Sequence, residues 1–425
     1  MIFSSLDLAP DLQKALDACG YSQMTPIQEQ AIIPARRGKD LLANAQTGTG
    51  KTAAFAIPIL QQLIDGNGTA TRQPGKPKAL ILTPARELAE QLANTIGGYA
   101  QFLPIEVLAV YGGTKTSGQE AKLKAGVDIL IATPGRLLEH ITNCSVDLAD
   151  IKHVVLDEVD RMLDMGFIAD VQSLLKLTPS KKQTLFFSAT LSPAVSELAH
   201  KLLKNHLAIR VSKENTTAHT IEQTVYAVEE RRKHELFLTL LTEQNWFQVL
   251  VFTSTKEQAD ELMIGLRQNK VDAAICHGDK SQGTRRRALN DFKSGKIQVL
   301  IATEVAARGL DIQGLEYVVN LNLPYLAEDY VHRIGRTGRA GQKGHAISFV
   351  SREEERTLDT IERFIGKSLK RIRHKGFDVT SRDVLIEKVK QYKRPGRSNK
   401  VTQTKIDLDK KTNNSGALKA KKPKK

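Results

Sequence analysis

The sequence predicts an α/β protein with two tandem parallel-sheet domains and a flexible basic C-terminal tail. Three observations lead to this prediction. The chain has 425 residues, which is too long for one ordinary hydrophobic core. Short, almost continuously apolar runs alternate with helical stretches, as in parallel sheets that helices cover on both faces. Residues 391–425 contain almost no large apolar side chain, so this segment cannot bury enough surface to fold.

The apolar, β-rich runs fall into two groups. The predicted strands of the first group are Asp40–Ala45, Ala79–Thr83, Val107–Gly112, Asp128–Thr133, His153–Asp157, Thr184–Ser188 and Ala208–Val211. The predicted strands of the second group are Ile221–Ala227, Val249–Thr253, Ala273–His277, Gln298–Thr303, Tyr317–Asn320 and Ala346–Val350. Residues 212–220 are polar and non-periodic, which is typical of a linker. We therefore expect two sheets, each with its ligand sites at the carboxyl ends of the strands.

The positive charge is concentrated at the C-terminal end. The chain has a formal net charge of +15, and residues 391–425 carry 12 Lys and Arg against two Asp, a net charge of +10 that leaves +5 for the first 390 residues. Two interpretations of this tail remain open on charge alone. It is either a solvated segment that keeps the protein in solution, or a tether that binds a polyanion without regard to sequence.

Composition argues against a membrane or secreted protein. No apolar run approaches the roughly 18 to 20 residues that cross a bilayer. The N-terminus lacks a basic region followed by an apolar block, so we expect no secretory signal. The three cysteines, Cys19, Cys144 and Cys276, are isolated and have no CxxC spacing. We therefore expect neither disulfides nor a zinc site, and the reducing cytoplasm is the predicted location.

A segment with the spacing of a phosphate-binding loop follows the first predicted strand and precedes a helical pattern. It comprises Ala45, Gln46, Thr47, Gly48, Thr49, Gly50, Lys51 and Thr52. In this context backbone amides and a helix N-terminus can bind phosphates, Lys51 can reach the β- and γ-phosphates, and Thr52 can ligate Mg²⁺. The general pattern begins with Gly where this chain has Ala45. A Gly-Lys-Thr alone arises by chance, but its place between strand and helix favours the nucleotide site.

Two acidic residues follow the predicted strand that ends at Leu156. Asp157 is predicted to hold Mg²⁺, and Glu158 to orient or deprotonate the attacking water. Acidic residues at a strand end are more often an exposed turn, but the apolar residues on both sides of this pair argue against that interpretation.

Three arginines repeat at intervals of three residues near the end of the second predicted domain. Arg333, Arg336 and Arg339 follow His332, with Gly335 and Gly338 between them. Guanidinium groups bind phosphoryl oxygens in a forked geometry. From spacing alone, arginine fingers and a solvated or nucleic-acid-binding surface remain equally open.

Further segments make the pattern specific. They are Gly20–Gln28 with Phe3 upstream, Pro84–Ala89, Gly112–Gly113, Thr133–Arg136, Ser188–Thr190, Val251–Thr255, His277–Gly278 with Gln282 and Arg285, and Ala302–Asp311. Together with the three phosphate segments, the set resembles the DEAD-box family of ATP-dependent RNA helicases over nearly all of residues 1–370. Within that family, Asn245–Thr253 and His277–Gly283 resemble the bacterial RhlE-like subgroup.

The resemblance implies two RecA-like domains. The implied boundaries are a Q-motif region at 1–31, the ATP-binding domain at 32–211, the linker at 212–220, the helicase C-terminal domain at 221–370, an extension at 371–390 and the tail at 391–425. ATP and Mg²⁺ are the implied cofactors, and single-stranded RNA and short RNA duplexes are the implied partners. A monomeric core, no membrane, and protein partners from ribosome assembly or RNA decay complete the expectation.

Residue roles are carried over by position. Phe3 is expected to stack on adenine, Gln28 to select it and Thr25 to lie near the phosphates. Gly309 and Asp311 are expected to lie beside the ribose, and Arg336 and Arg339 are expected to be the fingers. The expected coupling residues are Asp160, Ser188, Ala189, Thr190, His332 and Arg333, with Arg333 and His332 linking the fingers to Asp160, Ser188 and Thr190. The expected RNA-binding residues are Arg86, Gly113, Thr133, Pro134, Gly135, Arg136, Gln282, Arg285 and Thr303.

Four positions depart from the family pattern: Val159, Glu304, Ala85 and Asn322 stand where Ala, Asp, Thr and Asp are usual. None removes a group from the phosphate chemistry. The implied function is RNA-stimulated ATP hydrolysis coupled to local, largely sequence-independent unwinding of short duplexes or remodelling of RNA–protein complexes. Two alternatives stay open: an ATP-dependent RNA clamp or assembly scaffold with little net unwinding, and a DNA-directed motor of the same superfamily.

Overall fold

Two parallel sheets organise the chain in a computed structural model that describes residues 1–45, 48–66, 72–211, 221–307, 312, 314–338 and 344–377. Both sheets lie in the compact unit Met1–Val379, and the second unit, Thr380–Lys425, lies outside the described residues, as does the predicted linker at 212–220. We call residues 1–211 the first lobe and residues 221–377 the second lobe.

The first lobe contains a seven-stranded sheet within its described residues, in the order β3-β4-β2-β5-β6-β1-β7. Its strands are β1 (Leu41–Asn44), β2 (Ala79–Leu82), β3 (Val107–Val110), β4 (Ile129–Ala132), β5 (His153–Leu156), β6 (Gln183–Ser188) and β7 (Leu207–Arg210). Its helices are α1 (Pro10–Ala18), α2 (Pro26–Arg36), α3 (Lys51–Asp65), α4 (Arg86–Tyr99), α5 (Thr116–Ala125), α6 (Pro134–Thr142), α7 (Val159–Asp164), α8 (Ile168–Lys176) and α9 (Pro193–Leu202). A short 3-10 helix, Phe3–Leu6, precedes them.

The second lobe also has seven strands among its described residues, in the order β10-β11-β9-β12-β13-β8-β14. They are β8 (Ile221–Ala227), β9 (Val249–Thr253), β10 (Ala273–Cys276), β11 (Val299–Thr303), β12 (Tyr317–Asn320), β13 (Gly344–Val350) and β14 (Lys370–Ile372). The helices are α10 (Lys233–Glu243), α11 (Lys256–Gln268), α12 (Gln282–Lys293), α13 (Glu304–Ala307), α14 (Ala327–Ile334) and α15 (Glu355–Ile365). Two 3-10 helices, Glu230–Arg232 and Arg352–Glu354, complete the lobe.

The apolar runs form strands because both faces of each sheet are buried. In β2, for example, Ala79 and Ile81 pack into one core cluster while Leu80 and Leu82 pack into the cluster on the opposite face. Successive side chains of a strand point to opposite faces, so a strand covered on both sides has to be apolar throughout. Among the described residues, every helix is too short or too polar to cross a lipid bilayer.

One strand was not predicted. Lys370–Ile372 forms β14, which pairs in parallel with β8, and Phe377 packs into the adjacent core cluster. The predicted boundary after residue 370 therefore divides a strand, and the second lobe continues to at least Phe377. The signal was weak because β14 has three residues at the edge of the sheet, of which Lys370 and Arg371 are exposed.

Two helices of the second lobe, α11 and α12, begin at hydroxyl N-caps. Ser281 Oγ accepts a hydrogen bond from the Thr284 amide at 3.2 Å at the start of α12. Thr255 Oγ1 accepts one from the Gln258 amide at 3.2 Å at the start of α11. Because an N-cap satisfies amides that the helix itself leaves without partners, these residues define where each helix begins.

Candidate ATP and RNA sites

The carboxyl ends of the strands gather the candidate residues at one edge of the first sheet. The phosphate loop follows β1, the acidic pair follows β5, and Ser188 ends β6, and these three strands are neighbours in the order β5-β6-β1. The predicted RNA-facing segments follow β3, β4 and β2, which are also neighbours. Because all strands are parallel, one edge of the sheet presents a nucleotide half and an RNA half side by side.

The phosphate loop contains a position that strongly favours glycine. Gly50 has φ +93°, and a Cβ on it would overlap the side-chain amide of Gln28. Gln28 Nε2 donates to the Gly50 carbonyl at 3.2 Å, and Gln28 Oε1 accepts from the Thr25 amide at 2.8 Å. Gln28 thus ties the start of α2 to the phosphate loop. Gln46 and Thr47 lie outside the described residues.

Lys51 and Asp157 form a buried charge pair at the base of this loop. Lys51 Nζ lies 3.8 Å from Asp157 Oδ1, and the two side chains are 7% and 6% exposed. Burial raises the pKa of the Asp157 carboxyl to about 6, and the Lys51 ammonium opposes that shift. A buried pair with one long contact leaves hydrogen-bonding capacity available on both groups.

The donor set of this pocket fits a nucleoside triphosphate with a divalent cation. Among the described residues, the buried Lys51 ammonium has no hydrogen-bond partner, although it has three protons to donate. The Asp157 carboxylate and the Thr52 hydroxyl are oxygen ligands of the kind that Mg²⁺ takes. Because Mg²⁺ is commonly held by one or two protein groups together with substrate phosphates, these two oxygens are enough.

Glu158 occupies a strained backbone conformation. Its φ of 55° and ψ of 51° lie in the left-handed region, which is uncommon for residues other than glycine. Its amide donates to Asp157 Oδ1 at 3.1 Å. Strain of this kind persists where surrounding structure enforces it, and it is concentrated at functional sites. Glu158 is half-buried at the start of α7.

Asp160 joins the acidic segment to the loop that follows β6. Its Oδ2 accepts hydrogen bonds from the Ala189 amide at 3.1 Å, the Thr190 amide at 2.9 Å and the Thr190 hydroxyl at 3.1 Å. Ser188 Oγ donates to the Thr190 carbonyl at 2.7 Å. The structure therefore brings together four of the six expected coupling residues within the first lobe.

Arg333 does not make the expected link to this segment. Among the described residues its guanidinium forms an ion pair with Glu304 at 2.5 Å and donates to the Asn322 carbonyl at 2.8 Å, both within the second lobe. It also donates to Asn320 Oδ1 at 3.3 Å and lies over the Phe252 ring. The Glu304 carboxylate holds Arg333 inside its own lobe. Glu304, which stands where the family usually has Asp, therefore has an ion pair with Arg333 as its observed contact.

The contact between the lobes at the nucleotide side is made instead by Arg161, which the sequence analysis missed. Its guanidinium contacts Asp329 and His332 of α14 and forms a 3.2 Å ion pair with Asp164 of its own helix. Arg161 is 4% exposed. An arginine directly after the acidic segment was the only signal in the sequence, and it did not identify the partner.

Arg336 follows α14 and is half-buried, while Arg339, Gly309 and Asp311 lie outside the described residues.

The Q-motif region packs more tightly than expected. The Phe3 ring is fully buried and lies edge-to-face against Tyr21, with ring centroids 5.3 Å apart. Stacking on adenine requires an exposed ring face, so that role stays a prediction and the observed contact is a core contact. A cavity of about 450 Å³ opens beside it, lined by Cys19 to Gln23, Thr25 and Gln28.

The predicted RNA-facing residues of the first lobe differ in how free their side chains are. Arg86 lies directly against Gly113, where a Cβ would overlap its guanidinium. Arg136 forms a 2.9 Å ion pair with Glu139 and donates to the Thr114 carbonyl at 3.0 Å, so its guanidinium is held by its own lobe. Thr133 is 8% exposed, and Pro134 and Gly135 begin α6.

Arg285 of the second lobe forms an ion pair with the first lobe. Its Nη2 lies 2.7 Å from Glu87 of α4, and both side chains are largely buried. The neighbouring Arg286 pairs with Glu90, one turn further along α4. Gln282 lines the cavity of about 520 Å³ between α4 and α12, and Thr303 is 8% exposed at the end of β11.

Replacing Gly113 with Ala is expected to weaken RNA binding about 10-fold. A side chain at φ +80° would displace the Arg86 guanidinium, and a charged hydrogen bond is worth about 1.5–3 kcal/mol. The matched control is Gly112→Ala, because a Cβ at Gly112 meets no atom within 4 Å. Fluorescence anisotropy with a labelled single-stranded RNA measures both. Equal affinities for the two variants would contradict the assignment of Arg86 and Gly113 to the RNA site.

The comparisons with known proteins agree with this geometry. The chain matches the family described as DEAD/DEAH box helicase over residues 25–198, and the helicase conserved C-terminal domain over residues 232–341. The chain belongs to the DEAD/DEAH box helicase family. Members of this family are ATP-hydrolysing RNA helicases.

Two relatives illustrate the similarity. ATP-dependent RNA helicase RhlB of Pseudomonas syringae pv. tomato is 40% identical over 370 residues, covering 86% of this chain and 93% of the relative. DEAD-box ATP-dependent RNA helicase CshA of Bacillus subtilis is 39% identical over 378 residues, covering 88% of this chain and 75% of the relative. Since these helicases are RhlB and CshA proteins, the RhlE-like subgroup stays a prediction.

Three solved structures of one similar protein differ in how closely they superpose on this chain. Saccharomyces cerevisiae Dbp5 bound to RNA and ADP BeF3 is 31% identical with a TM-score of 0.77, covering 88% of this chain and 95% of that one. A Dbp5 variant bound to Gle1 and IP6 has a TM-score of 0.68, and one bound to Nup159, Gle1, IP6 and ADP has 0.58. Among these three, the form that holds RNA together with ADP BeF3 superposes best.

Proposed function

We propose that this protein is an RNA-stimulated ATPase that couples ATP hydrolysis to local, largely sequence-independent separation of short RNA duplexes or remodelling of RNA–protein complexes. The observation that carries the proposal is the contact between Arg161 of the first lobe and the Asp329–His332 segment of the second, because it brings the arginine-bearing helix α14 to the Lys51–Asp157 pocket. Both lobes then contribute to one ATP site.

The first lobe binds ATP. Lys51 neutralises phosphate charge, and the loop amides at the N-terminus of α3 donate to phosphate oxygens. Gln28 and Thr25 form the end of the pocket next to adenine, and Phe3 packs against Tyr21 in the same Q-motif region. The loop residues proposed to surround the phosphates are Ala45, Gln46, Thr47, Gly48, Thr49, Gly50 and Thr52. Thr52 and Asp157 are the proposed ligands of Mg²⁺, which when bound neutralises charge on the phosphates.

Glu158 orients the attacking water and accepts its proton. Arg336 and Arg339 supply the positive charge that the terminal phosphoryl group needs as its bond to the leaving oxygen breaks, and Asp311 with Gly309 contacts the ribose. Since Glu158 and Arg336 come from different lobes, hydrolysis requires closure. ATP and RNA each favour closure because each contacts both lobes, and release of phosphate removes one of those contacts.

RNA lies across the other half of the same edge. Arg86 with Gly113, the start of α6 at Thr133 to Arg136, and Gln282 with Thr303 are the proposed contacts to the phosphates and sugars of one strand. Arg285 is a further proposed RNA contact, and its pair with Glu87 joins the two lobes. Contacts with the phosphates and sugars of one RNA strand carry no base information, so recognition does not depend on the RNA sequence.

Several finer points are part of the proposal. The core acts as a monomer in the cytoplasm, and protein partners from ribosome assembly or RNA decay bind outside the two lobes. Residues 391–425 lie outside the described residues, and their role as a tether to RNA rests on their net charge of +10 alone.

A strand-displacement experiment tests the function and both alternatives. A short RNA duplex with a fluorescent strand is expected to separate with ATP and to remain intact without it. An ATP-dependent RNA clamp would retain RNA in the presence of ATP without displacing the strand. A DNA-directed motor would hydrolyse ATP faster with a matched DNA strand than with RNA, which would overturn the proposal.

A further inference from the structure

Arg161 is a buried charge that the proposed chemistry does not use. It is 4% exposed, and arginine is almost never fully buried unless it is paired. Its guanidinium contacts three groups: Asp164 on its own helix, at 3.2 Å, and Asp329 and His332 on the other lobe. Because Asp329 and His332 belong to the second lobe, these two contacts depend on how the lobes are placed against each other.

Asp160, which precedes Arg161 in the sequence, makes its side-chain contacts within the first lobe. Asp160 holds the Ala189–Thr190 loop of the first lobe through three hydrogen bonds. Two adjacent residues of α7 therefore make contacts in different directions. Asp160 contacts a loop of the same lobe, and Arg161 contacts a helix of the second lobe. The segment is therefore a junction between the nucleotide pocket and both lobes.

The helix that Arg161 contacts leads directly to Arg336. Asp329 and His332 are three positions apart, and Asp329 and Arg333 four, so all three lie on neighbouring faces of α14. Arg333 anchors the helix within its own lobe through Glu304. Helix α14 ends at Ile334, Gly335 follows, and Arg336 is the next residue. When the contacts with Arg161 hold Asp329 and His332 in place, they also constrain the position of the Arg336 backbone at the end of the helix.

Because Arg161 and Asp329 are both buried, their ion pair is suited to holding α14 in one orientation. Asp329 is 5% exposed, so in the closed state neither it nor Arg161 is fully hydrated. Removing one partner of a buried ion pair leaves an uncompensated buried charge, whereas the intact pair contributes mainly geometry. Because the two partners lie on different lobes, the pair can act only while the lobes are together.

We propose that Arg161 and Asp329 are positioning residues that set the orientation of α14, and with it Arg336, when the lobes close. This inference rests on the proposed function, because it assigns a task to closure of the ATP site. It predicts that the pair acts on turnover and on the lifetime of the closed RNA complex, and that it leaves binding of ATP to the first lobe almost unchanged.

The experiment uses the full chain and the variants Arg161→Lys, Asp329→Asn and the double variant. Arg161→Lys keeps the charge and loses the forked geometry, and Asp329→Asn keeps the shape and loses the charge. We expect each single variant to lower the RNA-stimulated kcat by about 10- to 100-fold while KM for ATP changes less than about 3-fold. The double variant should be no worse than the poorer single variant, since both remove the same contact.

A second readout separates positioning from a general structural role. The dissociation rate of a fluorescent RNA from its complex with ADP and beryllium fluoride should rise about 10-fold in both single variants. The matched control is Asp164→Asn, which removes the other carboxylate on the same guanidinium but leaves both contacts with the second lobe intact. It should behave like the wild type in both assays.

The outcomes are distinguishable. If Asp164→Asn lowers kcat as much as Asp329→Asn, or if the two single effects simply add, the inference is overturned. It is also overturned if either single variant keeps the wild-type kcat. If instead the wild type shows no RNA-stimulated turnover, the proposed function itself fails. Should Asp329→Asn not fold, as judged by its thermal unfolding, Arg161→Lys with the Asp164→Asn control decides the question alone.

Discussion

Replacing Glu158 with Gln is expected to abolish ATP turnover while leaving a protein that ATP locks onto RNA. Glu158 lies next to Asp157, in a left-handed backbone conformation between β5 and α7. Gln keeps the shape and cannot accept the proton of the attacking water, and a positioned base contributes about 10²- to 10⁴-fold to such a step. Phosphate binding through Lys51 is untouched, so closure persists.

Phosphate release in the presence of saturating RNA measures the loss of turnover, and retention of labelled RNA with ATP measures the locked complex. Glu106→Gln is the matched control, because Glu106 is exposed and precedes β3 at the opposite edge of the first sheet. It should leave both quantities unchanged. Persistent turnover in the Glu158 variant would mean that another group positions the water.

Replacing Arg336 with Ala is expected to reduce RNA-stimulated turnover by about 10³-fold or more, the usual contribution of an arginine finger to phosphoryl transfer. Arg336 lies at the end of the helix that Arg161 contacts, so it approaches the pocket only from the second lobe. Because it acts on charge that develops during the reaction, affinity for ATP should change much less than kcat.

A lysine at this position refines the test. Arg336→Lys keeps the charge and loses the fork, so we expect it to recover only a small part of the lost activity. Arg363→Ala, at an exposed position on α15 of the same lobe, serves as the control and should be as active as the wild type. An Arg336→Ala variant with more than about a tenth of the wild-type kcat would remove Arg336 from the reaction.

Ion pairs close the lobes at two separate places. At the nucleotide side Arg161 contacts Asp329 and His332, and at the RNA side Arg285 and Arg286 of α12 pair with Glu87 and Glu90 of α4. Arg286 is more than half exposed, so its pair is weak on its own. The buried pairs define how the lobes meet on both sides, and the whole chain superposes on Dbp5 bound to RNA and ADP BeF3 with a TM-score of 0.77.

Two departures from the family pattern converge on one residue. Glu304 forms an ion pair with Arg333, and the Asn322 carbonyl accepts a hydrogen bond from the same guanidinium. The Asn322 side chain donates to Glu230 at 2.8 Å, an interaction that an aspartate at this position could not make. Val159, a third departure, is 1% exposed in the core cluster beneath the sheet, where an apolar side chain contributes packing and no hydrogen bond.

The sequence by itself determined the two sheets and the strands that carry the motifs, because a strand buried on both faces has to be apolar throughout. It also placed Lys51, Asp157 and Glu158 next to each other at one sheet edge, since parallel strands bring their carboxyl ends together. The strands follow from residues that are close along the chain, whereas the meeting of Lys51 with Asp157 follows from the common direction of the strands.

Only the tertiary structure decided which charged residues meet. Arg161 and His332 are 171 positions apart, and nothing local distinguishes an arginine that contacts another lobe from one that faces water. For the same reason the sequence did not show that Arg333 pairs with Glu304 of its own lobe, so its expected link to Asp160 stays a prediction. Partner choice among buried charges depends on distances that exist only once the chain has folded.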